Sequence, residues 1–170
     1  SGRYIEIPVY PFSFREVWEY WVHKGTTSTK EQAFEQYLIL GGMPFIHQNV
    51  LSQENARVYL EDVFESVLVK DIVARNKVRD IETLRRILVY CVANSGRTFS
   101  ASSIVKYLKN EHLSVSLDTL YRYIEYFKAS CLVLPVNRFD IKGKEVLRFQ
   151  QKLYLCDHGF RHVVFSSNMR

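Results

Sequence analysis

The chain of 170 residues is long enough for one large domain or two small ones. With 47% hydrophobic, 14% aromatic and 24% charged residues, its composition is that of an ordinary soluble globular protein, which excludes a disordered or fibrous one. Of the net charge of +5, residues 1–79 carry 9 Lys/Arg against 10 Asp/Glu, and residues 80–170 carry 14 against 8. The basic surplus therefore belongs to the C-terminal half; it suits a phosphate-bearing partner but is equally common on surfaces that bind none. No apolar run reaches the length of a membrane span and no signal peptide opens the chain, so no membrane partner is expected. Cys91, Cys131 and Cys156 form no C-x-x-C pair and each lies in an apolar stretch, which reads as reduced core thiols of a cytoplasmic protein.

Arg3 to Tyr10 alternate apolar and polar residues and predict a strand. Nothing in the next hundred residues resembles a second one, so this strand is expected to have lost its sheet. A helix follows over 14–23, with Phe14, Val17, Trp18 and Trp21 on one side. Ser28 and Glu31 read as a capping box for a helix over 30–40 that turns Phe34, Tyr37 and Leu38 inward. Gly41-Gly42-Met43-Pro44 ends it, because Gly supplies a left-handed cap and Pro forbids continuation. A long helix is predicted over 53–75. Its apolar residues, Val58, Leu60, Val63, Phe64, Val67, Leu68, Ile72 and Val73, spread around most of the circumference, so it is expected to pack on two sides as a connector.

After Arg79 the layout is clearer. Asp80 caps a helix to about Asn94, with Ile81, Leu84, Leu88 and Cys91 at helical spacing. Ser95-Gly96-Arg97 breaks it. Ser100 caps a second helix, 101–110, that buries Ile104, Val105 and Leu108. Ser116 caps a third, with Leu117, Leu120, Ile124, Phe127 and Cys131 on its inner face. Two β-rich runs, 132–139 and 146–155, flank the polar turn 140–144, and a last short helix starts near Asp157. Three helices and a hairpin predict a winged helix-turn-helix. The expected fold is mainly α, a helical linker over 1–79 followed by a winged helix-turn-helix over 80–170 with a small β-hairpin wing.

Candidate sites are few. The third helix would enter a DNA groove with Ser114, Ser116, Thr119 and Arg122 near its leading end, but Asp118 and Glu125 alternate with Arg122 and Lys128 and would repel phosphates. The wing is more clearly basic, with Arg138, Lys142, Lys144, Arg148 and Lys152. The nucleic-acid candidates are thus Ser116, Thr119, Arg122, Arg138, Lys142, Lys144 and Arg148, with a protein–protein or intramolecular packing role ranked above DNA binding. Cys156, Asp157, His158 and His162 lack the paired spacing of a zinc site, so no metal is predicted. There is no G-x-S-x-G, and the Glu61-Asp62-Glu65 cluster with Lys70 and Arg75 reads as ordinary helix charge patterning. No catalytic residue is assigned and no enzyme is expected of this chain. No G-x-x-x-x-G-K-[ST] exists to wrap backbone N–H groups around phosphates, so the chain itself holds no nucleotide cofactor.

Several local patterns, in order along the chain, resemble one family. They are Gly2-Arg3 running into Pro11-Phe12-Ser13-Phe14-Arg15-Glu16, Tyr37-Leu38 with Gly41-Gly42-Met43-Pro44, and Lys70-Asp71-Ile72 with Arg75. Ser116, Thr119, Tyr123 and Ile124, then Lys152-Leu153-Tyr154 with Asp157, Gly159 and Phe160, complete the set; Phe160 stands where Leu is usual. Together they resemble a prokaryotic group of AAA-type P-loop proteins of the archaeal-ATPase kind that carry DUF4143 at the C-terminus. The resemblance implies that the P-loop core lies upstream and a nuclease-like region downstream, that the Arg3–Tyr10 strand is the last of an ATPase sheet, and that ATP and magnesium serve the parent protein. It also implies a coupling role, in which the helical linker and winged helix transmit the nucleotide state of the upstream ATPase domain. Binding of DNA through the third helix and wing is the alternative. Arg3 would then be either a sensor of the γ-phosphate or an ordinary edge-strand arginine.

Overall fold

The computed structural model describes residues 5, 7–25, 28–140 and 145–167, with side chains described outside 138–150 and 166–167. Among these residues the chain is mainly helical with one small antiparallel sheet. Residues 7–10 form no strand. Ile5, Ile7 and Val9 are exposed and join no sheet among the described residues, whose two strands lie far along the chain at 133–155. Alternation alone does not make a strand when no neighbour supplies the ladder of hydrogen bonds.

Helix α1 spans Phe14–His23 and starts at a capping box: Ser13 accepts from the Glu16 N–H, and the Ser13 N–H donates to Glu16 Oε2 at 2.7 Å. Helix α2 spans Lys30–Leu40. Its box is Thr29 with Gln32, one residue later than the Ser28–Glu31 reading, because Thr29 is the residue held in the extended region with its side chain over the first turn. The inward face of α2 is also corrected. Ala33 and Leu40 are buried, whereas Phe34 and Leu38 are 44% and 43% exposed. Pro44 does more than stop α2. It opens a short helix α3, Pro44–Gln48, since its fixed φ suits a first helical position.

Helix α4, Gln53–Ser66, is capped by Ser52 and runs without a break into a π-helical stretch, Val67–Ala74. The buried residues fall at strict intervals of four: Ala56, Leu60, Phe64, Leu68 and Ile72. In an α-helix each step of four overshoots a full turn by about 40°, so this stripe would spiral off the core. The wider π turn, closed by i to i+5 bonds, makes a step of four fall short and swings the stripe back. Of the other apolar residues expected to be covered, Val63, Val67 and Val73 pack half-buried against the same core, whereas Val58 is about half exposed.

Helices α5 (Ile81–Ala93), α6 (Ala101–Asn110) and α7 (Leu117–Ala129) are capped by Asp80, Ser100 and Ser116 as the sequence predicts. Leu84, Leu88, Ile104, Leu108, Leu120, Ile124 and Phe127 are buried, whereas Ile81 and Leu117 are exposed. Cys131 is exposed rather than on the inner face, because it lies beyond α7 in a left-handed turn at φ 54°. Strands β1 (Val133–Asp140) and β2 (Glu145–Leu155) pair antiparallel, Val133 opposite Leu155, with a register shift between Val136 and Arg138. The link between α5 and α6 joins the other edge of β2: Thr98 bridges Lys152, and the N–H groups of Gly96 and Phe99 donate to Leu153 and Gln151. That leaves β1 at an edge, where Pro135 is tolerated. Helix α8, Gly159–Ser167, then returns to α2, α4 and α5. One apolar core, containing Leu40, Phe64, Leu84, Leu120 and Phe160, runs through both halves. No helix among the described residues is long and apolar enough to cross a membrane.

Candidate functional site

Among the described residues, a buried polar constellation joins the turn after α2 to the start of α8. Asp157 is 2% exposed and accepts two backbone N–H groups, from Gly42 at 2.8 Å and from Gly159 at 2.7 Å. Burial raises its carboxyl above the ordinary range, and the two N–H donors and His158 work against that rise. The fit demands glycine on both sides. A Cβ at Gly41 would overlap the Asp157 carboxylate, and one at Gly42 would overlap the Phe12 carbonyl oxygen. Gly41 also sits at φ 76°, ψ −162°, a region that L side chains avoid.

The chain before α1 is tied to the same turn. The Phe12 N–H donates to Gly42 O at 2.7 Å, and Tyr37 Oη donates to Phe12 O at 3.0 Å. His47, on α3, is 3% exposed, and its Nε2 lies 2.9 Å from Gly41 O. A carbonyl only accepts, so Nε2 carries the hydrogen and Nδ1 of the neutral ring is an acceptor. That Nδ1 is buried with no partner among the described groups, and burial lowers the imidazole below its usual range. The sequence offers no sign of this His47, because a single histidine in a short helix matches no spacing rule. By its neighbours in sequence Asp157 reads as a possible metal ligand, whereas its oxygens are used by backbone donors.

The residues picked for nucleic acid are placed as follows. Ser116, Thr119 and Arg122 share one exposed corner of α7 and are bound to one another: Ser116 Oγ accepts the Thr119 N–H, and Arg122 donates to Thr119 Oγ1 at 3.0 Å. Asp118 and Glu125 border the same shallow surface, and Glu125 takes Lys128 at 2.6 Å. Arg138 lies on β1 and Arg148 on β2; their side chains, and all of Arg3, Lys142 and Lys144, lie outside the described residues. No cluster of three or more His, Cys, Asp or Glu among the described residues is placed to hold a metal. His158 instead lies edge-on to Tyr37, and burial pushes the Cys91 and Cys156 thiols up to about 12 and about 11.

These features define a mainly helical domain closed on itself by a glycine–aspartate lock. The chain belongs to the family of a domain of unknown function (DUF8612), whose model matches residues 31–169. An uncharacterized protein of Haemophilus influenzae is 28% identical over 166 residues, 95% of this chain and 40% of its own length. The uncharacterized protein MJ1544 of Methanocaldococcus jannaschii is 28% identical over 167 residues, 92% of this chain and 36% of its own. The chain thus spans well under half the length of these curated relatives. No solved structure matches it.

This membership corrects the resemblance to the P-loop proteins with DUF4143: the matching family is another one, and neither relative's description names an ATPase. With the resemblance falls the reading of coupling to an upstream ATPase domain, and the alternative read from the third helix and wing, a DNA-binding module, is not upheld either. The physical reason is visible in the matched patterns, which do packing work. Gly41-Gly42 and Asp157-x-Gly159 form the lock; Ile72 is core, and Asp71 pairs with Arg75 one turn along.

Proposed function

We propose that the domain is a protein-docking module rather than an enzyme, and that α2 presents its docking face. The observation that carries this reading is the outward side of α2, where Phe34, Leu38 and Ile39 are each at least 40% exposed and Phe14 stacks edge-on against Phe34 at 4.9 Å. A helix that is apolar on both sides needs a second partner, and α2 is covered on one side only. The occupant is the additional polypeptide that makes up most of the length of the longer relatives. The buried polar groups support a binding role, since Asp157 spends its acceptors on holding backbone.

Within this module we read residues 80–170 as a winged helix-turn-helix and 1–79 as the helical part that carries the docking face. The order α5, α6, α7, β1, β2 and the bridge from Thr98 to Lys152 support it. The three free thiols fit a reducing compartment such as the cytoplasm. Hydrogen exchange over the stretch matching Lys30–Leu40, in the complete Haemophilus influenzae relative and in its excised domain, tests the proposal. Slower exchange in the complete protein is expected. Equal exchange overturns it, as does a dimer of this chain that Leu38→Glu dissolves, which would assign the face to a second copy.

A further inference from the structure

Helix α7 carries an exposed face of its own, where Asp118, Tyr121, Arg122 and Glu125 border a shallow hollow. Steps of four and three residues keep Asp118, Arg122 and Glu125 within about 60° of one another around the helix axis. Lys128, half-buried on the flank of this column, donates from Nζ to Glu125 Oε1 at 2.6 Å. Asp118 and Arg122 are one turn apart, the spacing of an ion pair within a helix, yet Arg122 turns to Thr119 Oγ1 at 3.0 Å instead. That bond uses one of the five guanidinium N–H donors, and the Lys128 bond uses one of the two Glu125 oxygens, so both charges keep capacity for a further partner. Beside them Leu117 and Tyr121 are about half exposed, with the Tyr121 ring 6.3 Å from that of Phe99. Along the helix the charges of Asp118, Arg122, Glu125 and Lys128 run minus, plus, minus, plus. Such a pattern is its own complement when reversed. Laid against a second α7 in the opposite direction it sets each charge near its opposite, whereas a parallel pairing sets each against itself.

We propose that this face binds a second copy of the chain, the two α7 helices lying antiparallel about a two-fold axis at the level of Tyr123 and Ile124. Arg122 of each copy then meets Glu125 of the other, so the central pair is made twice, as a two-fold interface requires. The same symmetry brings Asp118 to the end of the facing helix that carries Lys128, and sets Tyr121 on the flank toward that ammonium. Leu117 and Tyr121 supply apolar area to withdraw from water, while the ion pairs fix the direction and register of the helices. Asp118 and Glu125, which repel a polyanion, are put to use by a partner that carries both signs.

Sedimentation equilibrium of the unmodified chain should show a monomer–dimer equilibrium with a Kd between about 1 µM and 1 mM, weakened by added salt. Arg122→Glu and Glu125→Arg each place like charges together at both symmetric positions. Each should weaken the dimer at least about tenfold, with helical content by circular dichroism unchanged. Mixed in equal amounts, the two variants should associate again, because their heterodimer holds two pairs of opposite charge. Leu38→Glu, on the α2 face, should leave the dimer intact. A chain that stays monomeric at about 1 mM overturns the proposal. A dimer that both reversals leave unchanged, or that Leu38→Glu dissolves, overturns it by placing the contact elsewhere. A mixture that associates no more tightly than either variant alone overturns it by removing the Arg122–Glu125 pairs.

Discussion

Asp157 Oδ2 accepts the N–H of Gly42 at 2.8 Å across 115 residues of sequence, and through that bond the turn after α2 is joined to the first turn of α8. The other oxygen, Oδ1, takes the Gly159 N–H, so the carboxylate serves the helix start and the distant turn together. Removing it leaves two buried donors unmet. Asp157→Ala should therefore lower unfolding stability by about 2–4 kcal/mol in urea titrations. Asp157→Asn, whose amide can still accept one of the two bonds, should lose less. An Asn variant as unstable as Ala would show that charge, not hydrogen-bond number, holds the lock.

The glycines of the same turn give a steric test. Gly42→Ala places a methyl group against the Phe12 carbonyl, which the Phe12–Gly42 hydrogen bond holds in place. The cost should be about 2–4 kcal/mol. Gly25→Ala is the comparison: that residue has φ 79° but open space around its Cα, so the backbone term alone, about 1 kcal/mol, is expected. Chemical denaturation of both variants checks the order, and Gly42→Ala no worse than Gly25→Ala would contradict the close approach.

Two buried titratable groups, His47 and Asp157, act in opposite directions with pH. His47 is depressed from its ordinary 6.5 by burial, so its contribution is present above 6.5 and is lost as pH falls from there through its folded value. Asp157 is raised from its ordinary 3.8 by burial, so its contribution is fully present below 3.8 and is lost as pH rises through the folded value. Stability measured from pH 8 downward should begin to fall below 6.5, and His47→Gln should flatten that fall. An identical slope in the variant would assign it to other groups.

Arg85 and Glu65 tie α5 to the end of α4 with a two-pronged ion pair, 2.9 and 2.6 Å. The side chains are 34% and 43% exposed, so the pair is partly screened. A double-mutant cycle with Arg85→Ala and Glu65→Ala should give a coupling of about 0.5–1 kcal/mol that shrinks with added salt. Arg85→Lys should lose most of it, because an ammonium cannot match both oxygens. Zero coupling at low salt would make this a contact without energetic consequence.

Much of the helical framework is legible in the sequence because it is local. Asp80, Ser100 and Ser116 each accept an N–H from the first turn of the helix they precede, within three residues. The hairpin, too, follows from its two β-rich runs. The candidate sites were harder: the pattern fragments that suggested a nucleotide-linked family turned out to be packing elements, since a glycine turn and a capping aspartate look alike whatever they serve.

The sequence by itself determined where α5, α6 and α7 begin, which stripe of each is apolar, and that the chain is mainly helical, because capping and periodicity act over a few residues. Only the tertiary structure decided the rest. It left residues 7–10 outside any sheet, since a strand depends on a neighbour. It turned Phe34 and Leu38 outward and curled α4 into a π turn, since an apolar residue is buried only where another element covers it. And it brought Asp157 to Gly42 and His47 to Trp21, contacts whose energy depends on distance in space and is invisible to spacing along the chain.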